Sequence, residues 1–313
     1  MDILKDFVFS SVSGKVPAHR ALAAIAVASP LGALADLVGT WKGTGFNQIW
    51  RPNQGSSDHF LELNETIETL EFTEIPGDIP NRGLLQGDIN LHGITYLQQV
   101  QDANVLGPSG KPAGIHIEPG IWVNIPTTTN PLDPATVARL ANIPHGTSFV
   151  AQGSVLPSIP GAPPFPVVSI TPFAIGNPAG LIPFPESTLT TPSAFRTPSG
   201  DIPHVTQAMV DNPNVFLSSA PNLGAITSTT TLTISTQALN PPTSGGGTSN
   251  IAFLQGDAGG PNAVAVQMDA TFWIETFADA GVTKQQLQYS QRVLLNFNTL
   301  SWPHVSVATL IKQ

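Results

Sequence analysis

The 313-residue chain has no cysteine. Disulfides, thiolate metal sites and cysteine nucleophiles are excluded together. Charge is also scarce. Only 11% of residues are Asp, Glu, Lys or Arg, against roughly a quarter in an ordinary soluble domain. Just 12 are basic, they form no cluster, and the formal net charge is −9. Nothing here can neutralise a run of phosphates, so a nucleic-acid partner is excluded. No apolar run is long enough for a membrane-spanning helix. Short catalytic signatures are missing too: there is no G-x-S-x-G elbow, no H-E-x-x-H and no EF-hand loop. GPSGKP at 107–112 imitates a phosphate loop, but Pro112 stands where a magnesium-binding hydroxyl belongs.

What the chain has in quantity is punctuation. Its 30 prolines and 28 glycines interrupt it every few residues. Many short strands joined by turns satisfy that pattern, and an all-β sandwich or barrel is the expected class. Strand-like rhythm runs through residues 36–123, as in FLELNETIETLEF, where Phe60, Leu61, Leu63, Ile67, Leu70 and Phe72 alternate loosely with polar residues. It returns in 263–313. Between them, 124–262 reads as a Pro/Gly-rich insertion with some strands, SFVAQGSV and TSTTTLTIST among them, and DPATVARLA reads as a helical turn. Proline is excluded from central strands, so the rest of this stretch is expected to be irregular. A single barrel-centred domain over 1–313, closed by its last strand, leaves no exposed sheet edge. Residues 1–35 form a helical lead-in expected to stay on the mature protein in the cytoplasm. Secretion through the apolar 20–35 stretch is the open alternative.

Histidine is rare, with 7 in all. His116 and Glu118 in GIHIEPG are two apart, on one face of a strand. An acid/base pair, two metal ligands and a local hydrogen bond at the barrel rim all fit that spacing. His145, before a glycine in IPHGT, is a further catalytic candidate. His304 comes directly after Pro303 in the closing strand. There His304, Ser306, Ala308 and Leu310 point one way, and Val305, Val307, Thr309 and Ile311 the other. With small neighbours, the imidazole faces open space. A neutral imidazole on a rigid strand over an apolar cavity suits axial ligation of haem iron; a hydrogen-bonded core histidine is the other reading.

Three stretches carry a resemblance. AHRALAAIAVASPLGALADLVGTWKGTGFNQIW holds a G-x-W-x-G-x-G signature at Gly39, Trp41, Gly43 and Gly45. YLQQVQD is followed by GIHIEPGIW, and LQYSQRVLLNF by WPHVSVATL. In this order they resemble the nitrobindins, haem-binding β-barrels related in shape to fatty-acid-binding proteins. The resemblance covers 18–125 and 264–312, about half the chain. Nitrobindins are about half as long, 124–262 has only a faint counterpart, and the residues after His304 run one position out of register. The resemblance implies an antiparallel barrel with b-type haem on His304. Gly39, Gly43 and Gly45 would let the first strand approach the macrocycle, and Thr40 and Lys42 would meet a propionate. Trp41 would belong to the haem site or plug the barrel. It further implies a small-molecule or diatomic ligand, with nitric oxide binding, peroxynitrite isomerisation or peroxide-dependent oxidation as the chemistry. Two other classes stay open: a haem-free, lipocalin-like carrier of an apolar ligand, and a non-haem enzyme using His116 and Glu118. Whether the chain forms a homo-oligomer is also open.

Overall fold

The computed structural model describes residues 29–237 and 242–313. Ten antiparallel strands close into a barrel: β1 Gly39–Pro52, β2 His59–Glu74, β3 Ile89–Leu106, β4 Pro112–Ile125, β5 Thr136–Ile143, β6 Thr147–Pro160, β7 Ile226–Ser235, β8 Val264–Asp279, β9 Val282–Phe297 and β10 Leu300–Lys312. Each pairs with its sequence neighbour, and β1 pairs with β10 from Trp41↔Lys312 to Ile49↔His304. The closing role expected of the last strand is met. Among the described residues no helix is long and apolar enough to cross a membrane.

The lead-in at 1–28 lies outside the described residues. A 3-10 helix, Gly32–Leu37, then stoppers one barrel end. Leu34 and Leu37 are fully buried against Trp41, whose indole Nε1 donates to the Leu37 carbonyl at 2.7 Å. Trp122, Phe272, Leu70 and Phe72 complete this closed-end core.

The middle of the chain departs from expectation. The stretch 124–262 is no single insertion, because β5, β6 and β7 arise from it and are integral to the ring. The two flanking strand groups alone do not close a barrel. DPATVARLA is not a helical turn but β5. Val137, Arg139 and Ala141 alternate inward there, and pairing on both sides overrides a weak helical propensity.

The irregular insertion proper, 161–225, runs over the outside of the barrel. It buries Phe46, Trp50, Leu61, Leu63, Trp302, Val305 and Val307 in a second core with Ile170, Ile202, Val210 and Leu217. The parts of β1, β2 and β10 towards the open end are therefore buried on both faces. Proline-rich chain cannot build its own ladder, and side chains supply the missing partners. Arg196, buried, donates to the carbonyls of Glu186, Thr188, Leu189 and Thr191 at 2.8–3.1 Å. Trp50 Nε1 donates to the Ile170 carbonyl at 2.9 Å. The segment lies like a plaster on the wall, held through its backbone acceptors.

Candidate functional site

The inward positions of β1 are Trp41, Gly43, Gly45, Asn47, Ile49 and Arg51, running from the stoppered end to the open one. Gly43 and Gly45 lack side chains where the barrel narrows. A Cβ at Gly43 would collide with the Thr309 carbonyl of β10, and one at Gly45 would sit 2.6 Å from Glu68 Oε1. The space they leave is filled by a polar layer. Glu68 accepts from Thr66 Oγ1 at 2.8 Å and from the Tyr289 hydroxyl at 2.6 Å, and Tyr289 accepts from Gln98 at 2.9 Å. Burial pushes the Glu68 carboxyl above its ordinary value, against the pull of its hydrogen bonds.

Beside it lies a second, ionised group. Glu118 is fully buried and accepts from the Tyr96 hydroxyl and from Arg139 Nη2. Arg139 also donates to Tyr96 at 2.8 Å and to Gln291 at 2.7 Å. Burial raises the Glu118 carboxyl, but the adjacent guanidinium and the bonds from His116 and Tyr96 outweigh it, and the result is about 2. The same pairing, working against burial, holds the Arg139 guanidinium above its ordinary value.

Above this layer opens a cavity of about 400 Å³, within the range of about 300–1,000 Å³ usual for small-molecule and cofactor sites. Its walls are largely apolar, with Ile49, Val100, Ile143, Phe149, Met268 and Leu295 among them. Three imidazoles face it: His304, His116 and His145. Arg51 stands at its open end, paired to Glu62 at 2.7 Å.

His304 points inward with Ser306, as strand alternation requires. Its Nε2 lies 2.7 Å from Asn47 Oδ1, an oxygen that also accepts from Ser306 at 2.7 Å. Asn47 in turn donates to Asn64 at 3.1 Å, and Asn64 to Asp102 at 2.8 Å. Burial, with the charges of His116 and His145 adding to it, pushes the His304 imidazole down to about 3. At any ordinary pH it is neutral, the form a metal requires. Facing a carbonyl oxygen, Nε2 carries the ring proton, so ligation through Nε2 needs that proton to move to Nδ1 and Asn47 to release its bond, and Ser306 stays behind as a partner for that oxygen. No buried acceptor is orphaned by the exchange. The imidazole and the largely apolar wall around it have the donor chemistry that a bound macrocyclic metal would need.

His116 Nε2 stands 3.4 Å from Glu118 Oε2, so the two share a face and form the expected local contact, with His116 part-buried and Glu118 fully buried. Clamped by Arg139, Glu118 orients the ring and is a poor proton acceptor near neutrality. His145 sits in the β5–β6 turn, its ring centroid 6.0 Å from that of His116. The signature residues lie elsewhere. Gly39, Trp41, Gly43 and Gly45 belong to the closed end and the polar layer, and Thr40 and Lys42 alternate to the outer surface. None of these six lines the cavity. Among the described residues none of 161–225 lines it, while Thr248, Leu254 and Ala263, from the chain between β7 and β8, do. Among the described residues no group of three or more His, Asp or Glu side chains is arranged to hold a metal ion.

Sequence reasoning missed Asn47, Glu68, Arg139 and Tyr289. A signal for them existed: polar residues at inward positions of strands that are otherwise apolar on that face.

No protein-family model matches the chain, and no curated protein matches it. Two solved structures are similar in shape. Rv2717c from M. tuberculosis aligns over 92% of this chain and 99% of its own, at 16% identity and a TM-score of 0.40. Ail, the attachment invasion locus protein of Yersinia pestis, aligns over 88% and 99%, at 5% identity and a TM-score of 0.18.

Proposed function

We propose that this barrel binds b-type haem, with His304 as the protein ligand to iron. The observation that carries the reading is a neutral imidazole on a rigid strand, facing a largely apolar cavity open at one end. Arg51 is the cation placed to meet a propionate at that opening; it takes the part that the resemblance gives to Lys42. When bound, the iron would supply the nitric oxide, peroxynitrite or peroxide chemistry that the resemblance to nitrobindins implies. The chain's own residues hold the imidazole on the rigid β10 strand, exclude water along the apolar wall, and present polar groups from the floor.

A second reading is favoured by one observation. His304 is already satisfied by Asn47, and the floor carries the Glu68 carboxyl, raised by burial, beside Tyr289 and Gln98. A haem-free carrier holding an amphipathic ligand, head group to the floor, uses those same groups. Reconstitution with haemin separates the two. A one-to-one complex with a Soret band that His304→Ala abolishes supports haem binding. No Soret band, with saturable binding of a fluorescent fatty acid, refutes it in favour of the carrier.

A further inference from the structure

We propose that His116 and His145 form a separate site for one divalent transition-metal ion, filled without haem. The two residues come from different elements. His116 rides on β4, and His145 on the tight turn from β5 to β6, where Gly146 takes φ +108°. The pairing of β4 with β5 brings their rings to 6.0 Å between centroids, at 41° to each other. A zinc–nitrogen bond of about 2.0–2.1 Å sets each ring centroid roughly 3.2 Å from the ion, so two ligating imidazoles have centroids roughly 5–6 Å apart. The observed spacing lies at the upper end of that window.

The surroundings are those of a ligand pair. Glu118 stands behind His116 at 3.4 Å and is itself pinned by Tyr96 and Arg139. A carboxylate on the far nitrogen of a ligating imidazole fixes its tautomer and raises its basicity as a ligand. That arrangement leaves His116 Nδ1 as the lone-pair atom. A metal ion takes both imidazoles in their neutral form. Both rings open onto the cavity, which leaves the remaining coordination positions to solvent or to an incoming ligand. Two imidazoles without thiolate or clustered carboxylate select borderline ions, copper(II) and zinc(II), over calcium or magnesium.

The test uses tag-free, haem-free full-length protein, titrated with Zn²⁺ by calorimetry at pH 7.5, and with Cu²⁺ followed by electron paramagnetic resonance. One Zn²⁺ per chain is expected, with affinity at least tenfold weaker in His116→Ala and in His145→Ala and unchanged in His304→Ala. The Cu²⁺ spectrum should show coupling to two ring nitrogens. Affinity should fall at least tenfold from pH 7.5 to 5.5, because protons compete for the imidazoles. No binding overturns the proposal, as does binding insensitive to both His116→Ala and His145→Ala, or binding lost with His304→Ala. Should His116→Ala fail to fold, His145→Ala and the nitrogen count in the unaltered protein decide the matter. Because the preparation is haem-free, the result is independent of the haem reading.

Discussion

Replacing Glu118 by Gln removes the one carboxylate that faces Arg139 inside the barrel, and its effect can be sized in two ways. Glu118 is shifted from 4.5 to about 2 in the folded chain. At about 1.4 kcal/mol per unit, that difference represents about 3 kcal/mol of stabilisation. Breaking a buried ion pair from one side, with the partner charge left behind, costs about 3–5 kcal/mol. The two figures agree. The pH dependence has a definite sign. Because the folded value lies below the unfolded one, the contribution is complete above about pH 4.5 and is lost as pH falls towards 2. Urea unfolding followed by tryptophan fluorescence should therefore show Glu118→Gln less stable by about 3 kcal/mol at pH 7, with a flatter decline between pH 5 and 2.5. Glu118→Leu with Arg139→Met should regain much of the loss, since neither charge is then left alone. A Glu118→Gln variant within about 1 kcal/mol of the parent at pH 7, or one with an unchanged acid profile, refutes this account of the pair.

His304→Ala should lose haem on reconstitution while far-UV circular dichroism stays β-like, because the imidazole faces a cavity rather than packed neighbours; a normal Soret band in the variant sinks the assignment. Burial beneath the insertion raises Glu275 to about 7, against the Gln286 amide that lowers it. Its contribution is present below about pH 4.5 and is lost as pH rises through 7. Glu275→Gln should thus raise Tm at pH 8.5 and leave it little changed at pH 4. Gly43→Ala should destabilise the barrel by about 1–3 kcal/mol or more, because β10 must move away from the new methyl group; chemical unfolding at matched pH measures it. Arg196→Ala strips four carbonyls of their partner, and proteolysis within 186–191 should accelerate while the barrel stays intact.

The barrel was legible in the sequence and much of the site was not, for reasons that can be traced to residues. Turn punctuation and the strand-like ends gave the class, and the closing strand with an inward His304 came from alternation alone. The period-2 signal failed in β2, where Leu61 and Leu63 face outward into the second core, Leu70 and Phe72 face inward, and Ile67 is exposed. A strand covered on both faces has no clean alternation to read. The stretch 124–262 shows two of its ring strands in the sequence, SFVAQGSV and TSTTTLTIST, but DPATVARLA reads there as a helical turn. Its three ring strands are short runs between prolines, and their identity depends on long-range partners. The polar layer stayed hidden because Glu68, Arg139 and Tyr289 are remote in sequence and meet only across the closed ring. His116 with Glu118 was visible as a pair, but Arg139, which decides how Glu118 behaves, was not.

The pairing of Trp41 with Lys312 has a consequence for how the protein is made. The two strands that seal the ring are its first and its last, so loop closure spans all the strands between them and the final contacts form only after β10 has been synthesised. Until then the nascent product is an open sheet with two free edges, β1 on one side and β9 on the other. Such edges template pairing with other chains. The outer plaster of 161–225 is synthesised well before β10 and packs on β1 and β2 as well as on the last strand. It can therefore shelter one face of the first strands while they wait. A chain cut short before Leu300 is thus no smaller barrel, but a sticky intermediate held at the stage where self-association competes with closure.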